Sequence, residues 1–147
     1  MHLTTCLTAA GTMGGVITVA LAAQLREAGL TWDPRPADRF AIPDRDLDDQ
    51  VFVISEMTIE AHALESGGIV RFNGTTEWAL DSIAQDEVIW LPHEAQLREL
   101  LGPAFVRLEA VPGGFMVLVE ADGELKRHID IDAERAYARA VLDLLRR

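Results

Sequence analysis

The stretch from Phe105 to Arg147 constrains the fold of this chain more than any other part. Phe105–Val111, Phe115–Glu120 and Leu125–Ile131 are apolar-rich runs of strand length. A Pro-Gly-Gly turn (Pro112 to Gly114) joins the first two, and Asp122-Gly123, a strong hairpin signal, joins the second and third. Connections this short make neighbouring strands antiparallel. Side chains alternate along a strand, so in the last run Leu125, Arg127, Ile129 and Ile131 share one face, with Lys126, His128 and Asp130 on the other. Asp132 then caps a helix lined on one side by Ala133, Ala136, Tyr137, Ala140, Val141 and Leu144. Arg146 and Arg147 sit at its negative end. The predicted class is therefore α+β: an antiparallel meander sheet with helices packed on one face, one of them C-terminal.

Upstream, Ile17, Leu21, Leu25 and Ala28 recur at helical spacing, and Gly29 follows as a stop, which predicts a helix over about 16–28. Three prolines between Thr31 and Pro43 exclude a helix there, and Trp32, Phe40 and Ile42 are its expected core anchors. Val51–Ser55, Met57–His62, Ile69–Phe72 and Glu87–Leu91 read as strands. Thr75 is placed to cap a helix running to about Ile83. Pro92 is placed to open another at its first position, with Leu97, Leu100 and Leu101 as the buried stripe, a Glu94–Arg98 pair and Gly102-Pro103 as the stop.

A chain of 147 residues, 49% apolar and 25% charged, fits one globular domain. Residues 1–15 read as a loose leader, with Met13 or Val16 as alternative starts, and 16–147 as a single domain. The net charge of −11 works against phosphate-backbone binding and against docking on an anionic membrane. An acidic protein that binds a basic partner is compatible with it. Cys6 is the only cysteine, so no intrachain disulfide can form. Val16–Leu25 resembles a signal-peptide core but lacks a positive flank, and it is too short to span a bilayer. The expected location is cytoplasmic.

The motifs of common chemistries are absent. Asp44-x-Asp-x-Asp-Asp begins like a calcium loop, but Asp49 and Ser55 stand where Gly and Glu are required. No HExxH or paired-cysteine spacing supports zinc. Gly11–Gly15 lacks the lysine of a P-loop, and no Gly-x-Ser-x-Gly elbow occurs. Glu56, Glu60, His62 and Glu65 are the nearest approach to an acid–base set. No catalytic residue, metal or cofactor is assigned.

The most individual segment runs from Arg71 to Leu80. Asn73, Gly74, Thr75, Thr76, Glu77 and Trp78 form a turn and a helix start whose N–H groups suit an anion, although Asn73 and Thr75 can satisfy them as caps. These six residues are the candidate binding site. A protein partner is expected there and on the Asp44–Asp49 loop, and a small anionic ligand or substrate is the alternative. Trp32, Trp78 and Trp90 divide between core and interface roles, with Trp90 assigned to core or strand edge.

Four segments carry a resemblance: Leu25–Pro34, Asp38–Asp46, Phe72–Asp81 and Trp90-Leu91-Pro92. Over about residues 19–145 the chain resembles short actinobacterial proteins labelled pilus assembly proteins. The pilus assembly ATPase with the same label looks like a P-loop protein of the MinD type, whereas this chain has neither that lysine nor a parallel βαβ pattern. The resemblance implies a small cytoplasmic accessory protein associated with pilus assembly, and it assigns no functional residue.

Overall fold

The computed structural model describes residues 8–9, 16–43, 50–54, 60–64, 67–71, 82–84 and 87–147. In chain order the elements are β1 (Thr8–Ala9), α1 (Val19–Glu27), β2 (Arg39–Ala41), β3 (Gln50–Val53), β4 (Glu60–Leu64), β5 (Gly67–Arg71), β6 (Ser82–Ala84) and β7 (Ile89–Leu91). There follow α2 (Glu94–Leu101), a 3-10 turn (Gly102–Ala104), β8 (Phe105–Val111), β9 (Gly114–Ala121), β10 (Glu124–Asp130) and α3 (Ala133–Leu145). The fold is α+β. Two compact units divide the chain, one made of Met1–Gly11 with Trp32–Trp90, the other of Thr12–Thr31 with Leu91–Arg147.

The first unit holds a sheet of order β1-β3-β2-β7 and an antiparallel sheet of order β4-β5-β6. Phe40 pairs with Phe52 across β2 and β3, their rings 5.5 Å apart. With Ile42, Ile54 and Val88 they form a buried cluster against which Trp32 packs, as the sequence led one to expect of Trp32, Phe40 and Ile42. The buried Asp38 carboxylate fixes the proline-rich approach, accepting from Trp32 Nε1 at 2.9 Å and from the Arg35 N–H at 3.0 Å. Trp90, half-buried between buried Ile89 and Leu91, stacks on Trp32 at 6.4 Å. One expected helix is overturned at its end. Ser82 and Ile83 belong to β6, where Val70 pairs with Ile83 and Ile69 with Ala84, so ladder hydrogen bonds hold the backbone extended.

The second unit is the predicted meander with its helices. Both hairpins fall at their expected turns: Val111 pairs with Gly114 and Ala121 with Glu124. Asp122 (φ 55°) and Gly123 (φ 75°) both take the left-handed region that a two-residue hairpin needs, which explains the Asp-Gly sequence. α3 packs on β9 and β10 by one side and receives α1 and α2 on others. Its small residues serve this central place, since Ala136, Ala138 and Ala140 are fully buried together with Tyr137 and Val141.

α1 is capped by Thr18, whose hydroxyl accepts from the Leu21 N–H at 3.1 Å. It ends as Leu30 and Gly29 donate back to the Leu25 and Arg26 carbonyls, both at 3.0 Å. α2 starts later than Pro92 suggests. Pro92 precedes the cap, His93 is the cap residue, and its N–H donates to Gln96 Oε1 at 2.9 Å. Leu97 and Leu101 are buried as expected, but Leu100 is 41% exposed: it lies outside the stripe that meets α3. No Glu94–Arg98 ion pair forms among the described residues; both side chains act on the Tyr137 hydroxyl, whose pKa burial and then Glu94 raise against the opposing pull of Arg98.

At the start of β9 the backbone runs unusually close to the end of β10. A Cβ on Gly114 would strike the Asp130 carbonyl and sit 2.9 Å from the Ile131 Cα. Gly114→Ala is therefore expected to destabilise the protein by ~1–3 kcal/mol in urea titration, because backbone atoms on both sides must yield. An unchanged midpoint would contradict that close approach.

Candidate functional site

The predicted binding residues Asn73, Gly74, Thr75, Thr76, Glu77 and Trp78 lie outside the described residues, as do the Asp44–Asp49 loop, Glu56 and Glu65. Glu60 and His62 lie in β4, opposite Arg71 and Ile69 of β5. The feature the structure brings forward is instead the last strand of the meander.

Among the described residues β10 is an edge strand, bonded to β9 alone in the sheet order β10-β9-β8. Its even-numbered residues face α3. Lys126 pairs with Val119, His128 with Val117 and Asp130 with Phe115, and on β8 the same layer continues through Phe105 and Leu108. Phe105 closes on Tyr137 of α3 at 5.6 Å. The outward face carries Leu125, Arg127 and Ile129, joined just past the strand by Ile131. Leu125 is 61%, Ile129 59% and Ile131 74% exposed. The most apolar residues of this strand thus point away from the helix. The alternation was legible in the sequence; the facing was not.

Charges hold the inner face. Asp130, with its side chain only 6% exposed, accepts from Arg135 Nε at 2.8 Å and from Arg139 Nε at 2.7 Å. The Asp132 N–H adds a weaker contact at 3.3 Å, while the Asp132 carboxylate caps α3 by accepting from the Arg135 N–H at 3.0 Å. Burial pushes the Asp130 pKa up, but hydrogen bonds from Arg139 and Arg135 outweigh it and leave it below the ordinary carboxylate value. One turn from the end of α3, Asp143 meets Lys126 at 3.5 Å, Arg147 at 3.3 Å and His128 Nε2 at 3.8 Å. Burial raises the Asp143 pKa, and Arg147, Lys126 and His128 together bring it lower.

His128 is the exception. Burial depresses its pKa more than nearby Asp143 raises it, and Lys126 and Arg147 lower it further. Its Nε2 is buried and has no hydrogen-bond partner among the described residues. The neutral imidazole is therefore the form this site favours.

On the outer face a row runs across the sheet from Arg127 through Leu118 to Arg107, and the next from Ile129 through Met116 to Glu109. Arg107 is tied to Glu109 at 3.1 Å. Arg127 makes no ion pair among the described residues. Arg107, Leu118 and β10 from Leu125 to His128 line an open depression of about 600 Å³. Apolar floor, one free guanidinium and shallow relief suit a peptide or protein surface better than a small molecule, which needs a deeper cleft. Among the described residues no group of three His, Cys, Asp or Glu side chains is placed to hold a metal ion. No helix there is long and apolar enough to cross a membrane.

The pKa directions fix the sign of the pH response. An unfolded His128 binds a proton near its ordinary pKa of about 6.5, while the folded one resists it, so stability falls as pH drops below that value. Asp130 and Asp143 titrate below their ordinary value in the folded state, and their contribution is lost further down, as pH falls through those lowered pKa values. Thermal melts should show both declines, with His128→Gln flattening the upper one. A wild-type Tm that rises between pH 7 and 5.5 would contradict this assignment.

No protein-family model matches the chain, and neither a curated protein nor a solved structure does.

Proposed function

We propose that this protein is a non-catalytic binding module that works as an accessory protein in a larger assembly. The observation that carries the reading is the outward apolar face of β10, with Leu125, Ile129 and Ile131 exposed around Arg127, which no described residue pairs. Exposing three large apolar side chains in one row forgoes ~1.5–3 kcal/mol for each that could be fully buried. Apolar anchors around an arginine are the usual composition of an interface centre. The occupant that fits is a protein segment offering apolar side chains and a carboxylate to meet Arg127.

The polar groups nearby support a structural role. Asp130 and Asp143 are consumed by Arg135, Arg139, Lys126 and Arg147, which leaves no carboxylate there poised to move a proton. Around the meander Glu109 is likewise paired with Arg107 and Asp122 with Arg147, so both signs are interspersed there, which weighs against the basic-partner alternative. The resemblance to pilus assembly proteins makes assembly in the cytoplasm the natural setting. The segment from Asn73 to Trp78 remains the proposed second contact, with a small anionic ligand there as the alternative.

Selection of a displayed peptide library on the purified protein tests the reading. Peptides that combine apolar residues with an acid are expected, with binding weakened at least tenfold by Arg127→Glu, about 1.4 kcal/mol. A thermal-shift screen in which nucleotides or phosphate stabilise both wild type and Arg127→Glu, with no peptide selected, would overturn it in favour of the ligand alternative.

A further inference from the structure

The outer edge of β10 has a property that its face alone does not reveal. We propose that β10 pairs antiparallel with β10 of a second copy, its two-fold axis at His128, so that the two meanders join into one six-stranded sheet.

The two edges of the meander differ. On β8 the register slips between Phe105 and Arg107, a bulge that spoils regular pairing, and prolines at 103 and 112 bracket the strand. Bulges and prolines are the ordinary means of closing an edge to further strands. β10 has neither: it pairs residue for residue with β9 from Glu124 to Asp130. Its one lysine, Lys126, is held by Asp143 of α3 rather than projecting as a guard. A regular edge with an apolar outer face is a template for another strand.

The charges along β10 then select the occupant and the register. A symmetric pair with its axis at Arg127 would set Arg127 against Arg127 and Glu124 against Asp130. With the axis at Lys126, lysine would meet lysine. With the axis at His128 no like charges are opposed: Lys126, held by its own Asp143, stands across from Asp130, held by Arg135 and Arg139, on the α3 side. On the outer side Arg127 lies across from Ile129, and Leu125 reaches Ile131. Opposite charges and apolar pairs placed directly across favour a pairing, and like charges oppose it. At the axis His128 meets its own copy as a neutral ring, a contact that a lysine or aspartate could not make. The arrangement is self-complementary, as a closed two-fold interface requires.

This inference rests on β10 as an interaction element but not on the peptide partner. The joined sheet leaves the outer face open and lays the Leu125, Ile129 and Ile131 rows of both copies side by side. A monomer that still selects apolar–acidic peptides would sink only the pairing. A dimer that selects none would sink only the partner.

Sedimentation equilibrium over a range of concentrations gives the mass, and cysteine cross-linking gives the register. The wild type is expected at twice the chain mass. Ile129→Lys places a cation across from Arg127 at an exposed position, so it should keep the wild-type circular dichroism while its dimer Kd rises at least tenfold. With Cys6 replaced by serine, His128→Cys should form a disulfide-linked dimer under mild oxidation, because the axis brings its Cα within ~4.4–6.8 Å of its copy. Leu125→Cys should not, being displaced along the strand. If His128→Cys does not fold, protection of the β10 amides from hydrogen exchange, lost in Ile129→Lys, reports the pairing instead. A wild type that stays monomeric, a dimer indifferent to Ile129→Lys, or cross-linking at Leu125 in place of His128 overturns the proposal.

Discussion

The Asp130 carboxylate, gripped by Arg135 and Arg139 and touched by the Asp132 N–H, is the contact on which the second unit depends. It lies where β10 ends and α3 begins, and so fixes which face of the strand the helix covers. A shift of one residue would exchange the faces completely. Leu125 and Ile129 would then be buried, with a gain of ~1.5–3 kcal/mol each if buried fully. The opposite choice prevails for two reasons. The two-residue turn at Asp122-Gly123 locks β10 to β9 so that Lys126 and His128 stand beside Val119 and Val117, already on the α3 side. Turning Asp130 outward would also remove two charge-assisted hydrogen bonds at once, each among the stronger kinds.

The core is completed by the neighbours. β9 buries Met116, Val117, Leu118 and Val119 in succession, so both of its faces are covered. On the inner side the cover is α3, itself wedged between the sheet and two further helices by its run of alanines. On the outer side the register neighbours of β9 among the described residues are the side chains of β8 and β10. Met116 and Leu118 are shielded there by arginine and isoleucine stems, which can cover apolar surface while their ends stay in water. That thin cover is what makes the outer face both stable in isolation and open to a partner.

Much of this was legible in the sequence. The meander, both hairpin turns, the Asp132 cap and the small-residue face of α3 follow from alternation, Asp-Gly and Pro-Gly signals and helical spacing, which are local properties. So do the anchors Trp32, Phe40 and Ile42. Facing was not legible, because alternation says which residues share a side of β10 but not which side a helix will cover; the register on β9 and the Asp130–Arg135–Arg139 contact decide that. The end of the expected helix at Ser82 and Ile83 is overturned for a related reason: a capping residue at Thr75 says where a helix can begin, while the pairing of Ile83 with Val70 is long-range. Leu100 obeyed its spacing but stays 41% exposed. The candidate residues from Asn73 to Trp78 stand out in the sequence by local individuality, whereas alternation alone does not mark the apolar side of β10 as the exposed one.

The phase of β10 can be measured directly. Single cysteines placed in turn from Leu125 to Asp130, with Cys6 replaced by serine, would be reacted with a maleimide in the folded protein. Fast labelling at 125, 127 and 129 and slow labelling at 126, 128 and 130 is the expected alternation. The opposite alternation would place the apolar residues under α3 and contradict the account at its root.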